Sequence, residues 1–185
     1  MKILALGIGN PILGDDGVGF HIVEALRADP PPGDITFECV DASGFALLHY
    51  IVDYDRVVIV DAIMTAGGKI GKVYRLGLDN FRPSKHTISP HDTDLPTALH
   101  LGATMKLKIP QKIDIVAVEI PAVYEFSQSL SIEVEKAVPE AAELVRQILI
   151  ERYGWKTGAG ACRYFVSHIH NLYNYASTKG SALIK

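Results

Sequence analysis

Apolar residues fall along this chain in two alternating periods. Ile3-Leu4-Ala5-Leu6 is a short continuous run, and apolar positions from Val18 to Leu26 recur at helical spacing. Between them lies Gly7-Ile8-Gly9-Asn10-Pro11-Ile12-Leu13-Gly14-Asp15-Asp16-Gly17-Val18-Gly19. This order predicts a strand, a glycine-rich turn with two adjacent carboxylates, and a helix. Pro30-Pro31-Pro32-Gly33 then breaks the chain. Ile35 to Asp41 reads as a second strand, closing in the turn Asp41-Ala42-Ser43-Gly44, and Phe45, Leu47, Leu48 and Ile51 suit a short helix. Val57-Val58-Ile59-Val60 is an unbroken β-branched run ending in Asp61. Such a run predicts a central strand buried on both faces. Gly67-Gly68 leads into Val73-Tyr74-Arg75-Leu76. That spacing has no room for a crossover helix, so the fourth strand is expected to lie antiparallel to its neighbour.

A polar loop from Asp79 to Asp92 carries His86 and Ser89-Pro90-His91-Asp92. Thr93 or Asp94 is expected to cap a helix running to about Ala103, with Pro96 in its first turn. Ile113 to Val118 is the fifth strand, ending at Glu119. Ser131 opens a last helix whose apolar positions are Val134, Val138, Ala141, Val145, Ile148 and Leu149. Pro139 is expected to kink or restart it, and Gly154 to cap its end. The predicted fold is a three-layer α/β/α domain, phosphorylase/hydrolase-like, with a mostly parallel, mixed five-stranded sheet over residues 1–153.

With 185 residues and 48% hydrophobic content, the chain can bury one substantial core. The net charge of −3 argues against a dedicated nucleic-acid binder. Two cysteines, Cys39 and Cys162, are too few for a disulfide scaffold or a four-ligand zinc site. Cys39 falls in an expected buried strand, and a reducing, cytoplasmic setting fits. The N-terminal apolar run is too broken for a signal peptide, and no run is long enough to span a membrane. The last 32 residues, 154–185, change character: they hold four Lys or Arg and no Asp or Glu. Residues 1–153 therefore carry all 21 acidic and 14 of the 18 basic residues, a net of −7. This basic, aromatic segment reads as an appendage behind the linker Gly158-Ala159-Gly160-Ala161. Its His168 and His170 would face apart on a helix and share a face on a strand.

The acidic loop admits three chemistries. Asp15 or Asp16 can cap the following helix. A dinucleotide loop is disfavoured, because Ile12 stands where G-x-G-x-x-G needs glycine and two carboxylates would meet the pyrophosphate. A metal or acid–base site is the third. Ligands of open α/β sheets gather outside the carboxyl ends of the strands. The predicted strands deliver Asp15 and Asp16, Asp41, Asp61 and Glu119 to that rim, and the loop before the third helix can bring His91. Several carboxylates at adjacent strand ends repel one another unless a cation sits among them. Two carboxylates and an imidazole form a three-ligand site with open positions, as catalytic metals use.

Gly7-Ile8-Gly9-Asn10 with Asp15-Asp16-Gly17-Val18-Gly19, Val57-Val58-Ile59-Val60-Asp61-Ala62 and Ser89-Pro90-His91 together resemble the hydrogenase maturation proteases. These endopeptidases trim the C-terminus of the large subunit of nickel–iron hydrogenases. The resemblance runs from Met1 to about Tyr153. It implies that Asp16, Asp61 and His91 bind metal, with Asp16 one methylene shorter than the Glu often found there. It also implies that nickel is carried by the substrate, a hydrogenase large-subunit precursor, so the free protein is metal-free or holds another divalent cation. Asp15 would then cap or orient the loop, and Asp41 and Glu119 would line the peptide cleft. An inactive relative serving as a hydrogenase-associated chaperone or subunit would keep the fold without cutting. A metallopeptidase with its own zinc is another alternative. Peptidyl-tRNA hydrolase shares a Gly-x-Gly-Asn-Pro opening, but its Thr-Arg-His-Asn motif is missing here.

Overall fold

A computed structural model of the chain describes residues 1–78, 95–123 and 126–153. Strands and helices follow in the order β1 (Ile3–Ile8), α1 (Val18–Ala28), β2 (Ile35–Val40), α2 (Leu47–Ile51), β3 (Arg56–Ile63), β4 (Val73–Gly77), α3 (Leu95–Thr104), β5 (Lys112–Glu119) and α4 (Ile132–Tyr153). The sheet order is β2-β1-β3-β5-β4. β1 runs parallel to β2 and β3, and β3 parallel to β5. β4 is antiparallel, as its short connection requires, but its partner is β5 rather than β3. The β-branched run of β3 lies at the centre of the sheet, with Val57 to Val60 almost wholly buried.

The two faces of the sheet fill different layers because side chains alternate along each strand. Leu4, Leu6 and Ile8 of β1, Val57 and Ile59 of β3, and Ile113 and Ile115 of β5 share one core with Leu47, Leu48 and Ile51 of α2 and Leu95 and Ala98 of α3. On the opposite face α1 packs against β1, β2 and β3, burying Val18, Ile22, Val23 and Leu26. α4 buries Val134, Ala137, Ala141, Val145, Ile148 and Leu149, and Arg146 joins it to Asp29 at the end of α1 at 3.1 Å. Each fully buried Leu or Ile contributes about 1.5–3 kcal/mol. The result is the expected three-layer α/β/α arrangement.

Three local expectations shift. Asp61 lies inside β3 rather than after it. α4 continues through Pro139 without a restart, and that proline is exposed. Cys39 is only half-buried, because β2 is an edge strand. The chain divides at Leu149–Ile150 into two units, a few residues before the end of α4. His86, His91, the cap candidates Thr93 and Asp94, Gly154, Cys162, His168 and His170 lie outside the described residues. Among the described residues no helix is long and apolar enough to cross a membrane.

Candidate active site

The acidic loop is built by backbone geometry that only glycine permits at its key position. β1 ends at Ile8, and Gly9 adopts φ +139 with the carbonyl oxygen of Asp16 lying where a Cβ would be. Asn10 then starts a turn: its carbonyl accepts the Leu13 N–H at 3.0 Å and its Oδ1 accepts the Ile12 N–H at 3.1 Å. A single 3-10 turn, Gly14–Gly17, carries both acids into α1.

The two neighbouring carboxylates are sent in different directions. Asp16, 8% exposed, folds back so that Oδ2 accepts the Asn10 N–H at 2.8 Å. Asp15, 6% exposed, reaches across the molecule, and its Oδ1 accepts the N–H of Ser131 at 2.6 Å. Ser131 is the residue before α4, and its own carbonyl accepts the N–H of Glu135 to begin that helix. Neither acid caps α1, whose N-cap is Gly17 with no side-chain cap bond. Of the three chemistries open to the loop, capping of α1 is not the one Asp15 takes: its partner is 116 residues away. The loop is further stitched to the segment before α4 by Gly14 N–H to Ser127 O at 2.6 Å and Ser127 N–H to Ile12 O at 3.0 Å.

The Gly14–Gly17 turn packs against β3, the strand that carries Asp61. Asp61 is 1% exposed, and its Oδ1 accepts the N–H of Ala62 at 2.8 Å. The carboxylates assigned from strands one and three thus arrive at the carboxyl ends of adjacent strands. Asp41, just past β2, is exposed on the same rim and accepts a bond from Asn10 Nδ2 at 2.9 Å. His91 lies outside the described residues, and among those described no three His, Cys, Asp or Glu side chains are grouped to hold a metal ion. The carboxylates of Asp16 and Asp61 are hard oxygen donors, the kind that divalent cations take.

Glu119 departs from its expected place. It is 2% exposed, and its carboxylate accepts the Thr65 N–H at 2.6 Å and the Thr65 hydroxyl at 2.9 Å. The Tyr74 phenol lies against the same carboxylate; burial first, and Glu119 second, push its pKa above the usual tyrosine value. Gly68 passes so close that a Cβ there would fall on the Glu119 carboxylate. Glu119 therefore anchors the β3–β4 connection and does not line an open peptide cleft. Pro11 and Ile12 of the acidic loop, with Phe20, His21, Glu24 and Gln128, line a shallow groove of about 330 Å³.

Residue type and spacing give no role to Thr65 or Tyr74. Asn10 enters the sequence pattern through the turn and the Gly7-Ile8-Gly9-Asn10 motif, neither of which marks it as a partner of Asp16 and Asp41, and nothing local marks Thr65 or Tyr74 as partners of a buried glutamate.

Residues 20–148 match the hydrogenase maturation protease family HycI. The hydrogenase 2 maturation protease of Escherichia coli K12 is 34% identical over 155 residues, covering 82% of this chain and 92% of that protein. The chain belongs to the hydrogenase maturation protease family. The solved structure of the hydrogenase maturating endopeptidase HybD from E. coli aligns with a TM-score of 0.70 at 31% identity, over 82% of this chain and 94% of that one. HybD from Thermococcus kodakarensis shares the fold, with a TM-score of 0.63 at 21% identity over 80% of this chain and 99% of its own. In this hydrogenase maturation protease the mixed five-stranded sheet is the family's fold, and Asp16 and Asp61 stand where its parallel strands end.

Proposed function

We propose that this protein is the endopeptidase that removes the C-terminal extension of a nickel–iron hydrogenase large-subunit precursor after nickel insertion, in the cytoplasm. The observation that carries the proposal is the convergence of two buried carboxylates, Asp16 and Asp61, at the ends of adjacent strands in a family of hydrogenase maturation proteases. Asp16, Asp61 and His91 meet nickel that the precursor already holds. Two carboxylates and one imidazole favour hard cations and form an incomplete set for nickel. The precursor's own ligands complete it, so a nickel-free precursor lacks the recognition element. Nickel bound there polarises the scissile carbonyl or activates water. Asp15 does not enter this set; its bond to Ser131 N–H fixes the loop against α4.

The test is cleavage of a nickel-loaded precursor beside the nickel-free form, read as the mass of the released C-terminal peptide. Asp16→Asn, Asp61→Asn and His91→Ala are run in parallel with melting curves to confirm folding. Cutting that needs nickel and is lost in all three variants supports the proposal. Equal cutting of the nickel-free precursor overturns nickel recognition and points to a metal held by the protease. Binding of the cognate precursor without any cutting turns the assignment toward an inactive, chaperone-like relative.

A further inference from the structure

Asn10 is the junction through which the end of β2 reaches the acidic loop. Its Nδ2 donates to Asp41 Oδ2 at 2.9 Å and its Oδ1 accepts the Ile12 N–H at 3.1 Å. Its backbone N–H donates to Asp16 Oδ2 at 2.8 Å. The preceding residue is tied to the same strand, since Gly9 N–H donates to Val40 O at 3.3 Å. A carboxylate turns about two side-chain torsions, and the donor that holds Asp16 is set by the plane of the Gly9–Asn10 peptide. Gly9, with no Cβ, restricts that plane less than any other residue would. The Gly9 N–H bond to Val40 holds the peptide before Gly9, and the Asn10 carboxamide, clamped by Asp41 and Ile12, holds the residue after it.

We propose that Asn10 and Asp41 form a positioning pair for Asp16: the Asn10–Asp41 bond fixes the peptide whose N–H aims the Asp16 carboxylate. Neither residue touches the reacting atoms. The functional half of this inference rests on Asp16 acting as proposed above; the structural half stands on its own. A plain turn-forming role for Asn10 needs only the bond from Ile12 N–H to Oδ1 and makes Asp41 dispensable. Substitutions at Asp41 therefore separate the two roles. Asp41→Asn keeps an acceptor for Asn10 Nδ2, whereas Asp41→Ala removes it, and neither alters Asn10 or Asp16.

The experiment follows the Asn10 backbone amide by 1H–15N NMR and hydrogen exchange on the full chain, with Asp16→Asn as the reference for a weakened bond. In Asp41→Ala the Asn10 amide signal moves toward its place in Asp16→Asn, and its exchange speeds up about five- to tenfold, the scale of one ordinary hydrogen bond. In Asp41→Asn the signal stays near that of the unsubstituted protein. Cleavage kcat/KM falls about five- to tenfold in Asp41→Ala and is largely rescued in Asp41→Asn. An Asn10 amide that ignores Asp41→Ala, or that moves equally in Asp41→Asn, overturns the pair. If the amide responds as stated but the unsubstituted protein cuts no precursor, the positioning stands and the functional assignment fails instead.

Discussion

Gly19→Ala sets two well-known effects against each other, and the structure decides the sign. Gly19 is the second residue of α1, where alanine improves helix propensity by up to about 1 kcal/mol. A Cβ at this position would stand 2.6 Å from Val60 O, 3.0 Å from Ile8 N and closer still to Ile8 O. All three are backbone atoms of β1 and β3, held in the sheet rather than on a movable side chain. To restore the 3.4 Å at which ordinary contact begins, Val60 O alone has to retreat by about 0.8 Å. Overpacking of this kind costs about 1–3 kcal/mol, and here it meets two central strands at once. Gly19→Ala is therefore expected to destabilise the protein by about 1–2 kcal/mol and to lower Tm by about 2–8 °C. The Gly14–Gly17 turn leads directly into α1, so an α1 pushed off the sheet also drags Asp16 away from β3 and lowers cleavage. Urea melts followed by circular dichroism, with calorimetry, measure the stability change. A variant as stable as the parent, or more stable, would refute the claim that the helix start sits on strand backbone.

Gly102→Ala in α3 is the matching contrast: its Cβ would first meet Ile109 Cδ1 at 2.6 Å and Leu48 Cδ2 at 3.2 Å. Side-chain ends can yield, so helix propensity should leave this variant between neutral and about 1 kcal/mol more stable; a loss comparable to that of Gly19→Ala would contradict the comparison. The Tyr74 phenol titrates above its usual value, so the folded state favours the neutral ring. Its contribution to stability is full below about pH 10 and is lost as pH rises through the folded value. Glu119→Gln should lower that titration in an absorbance curve near 295 nm, a wavelength chosen for tyrosinate, and an unchanged curve would remove Glu119 as a cause. Burial, helped by Glu24 and Glu38 and opposed by Arg27, pushes the Cys39 thiol up to about 11. At neutral pH its thiolate is then about 100-fold scarcer than that of an ordinary thiol. In a Cys162→Ser background, alkylation of the folded protein should be correspondingly slower than after unfolding in urea, and equal rates would exclude the shift.

The sequence by itself determined the order of elements, the central place of β3, the antiparallel fourth strand and the family, because each is written in short-range signals. Residue periodicity marks strands and helices, a short connection forbids a parallel crossover, and the glycine–acid loop with its later Asp and His carries the family resemblance. Tertiary structure decided the rest. β5 inserts between β3 and β4, a choice made by long-range pairing that leaves no mark on either strand alone. Asp15 and Asp16 are neighbours with the same side chain, yet one holds the residue before α4 and the other folds back onto Asn10. Glu119 sits at a strand end where the sequence pattern places it in the peptide cleft, yet Thr65, Tyr74 and Gly68 close over it. A local pattern tells which residues reach the rim of the sheet. Which of them face an open site and which are spent holding the rim together depends on donors brought from distant parts of the chain, and only the folded packing supplies those.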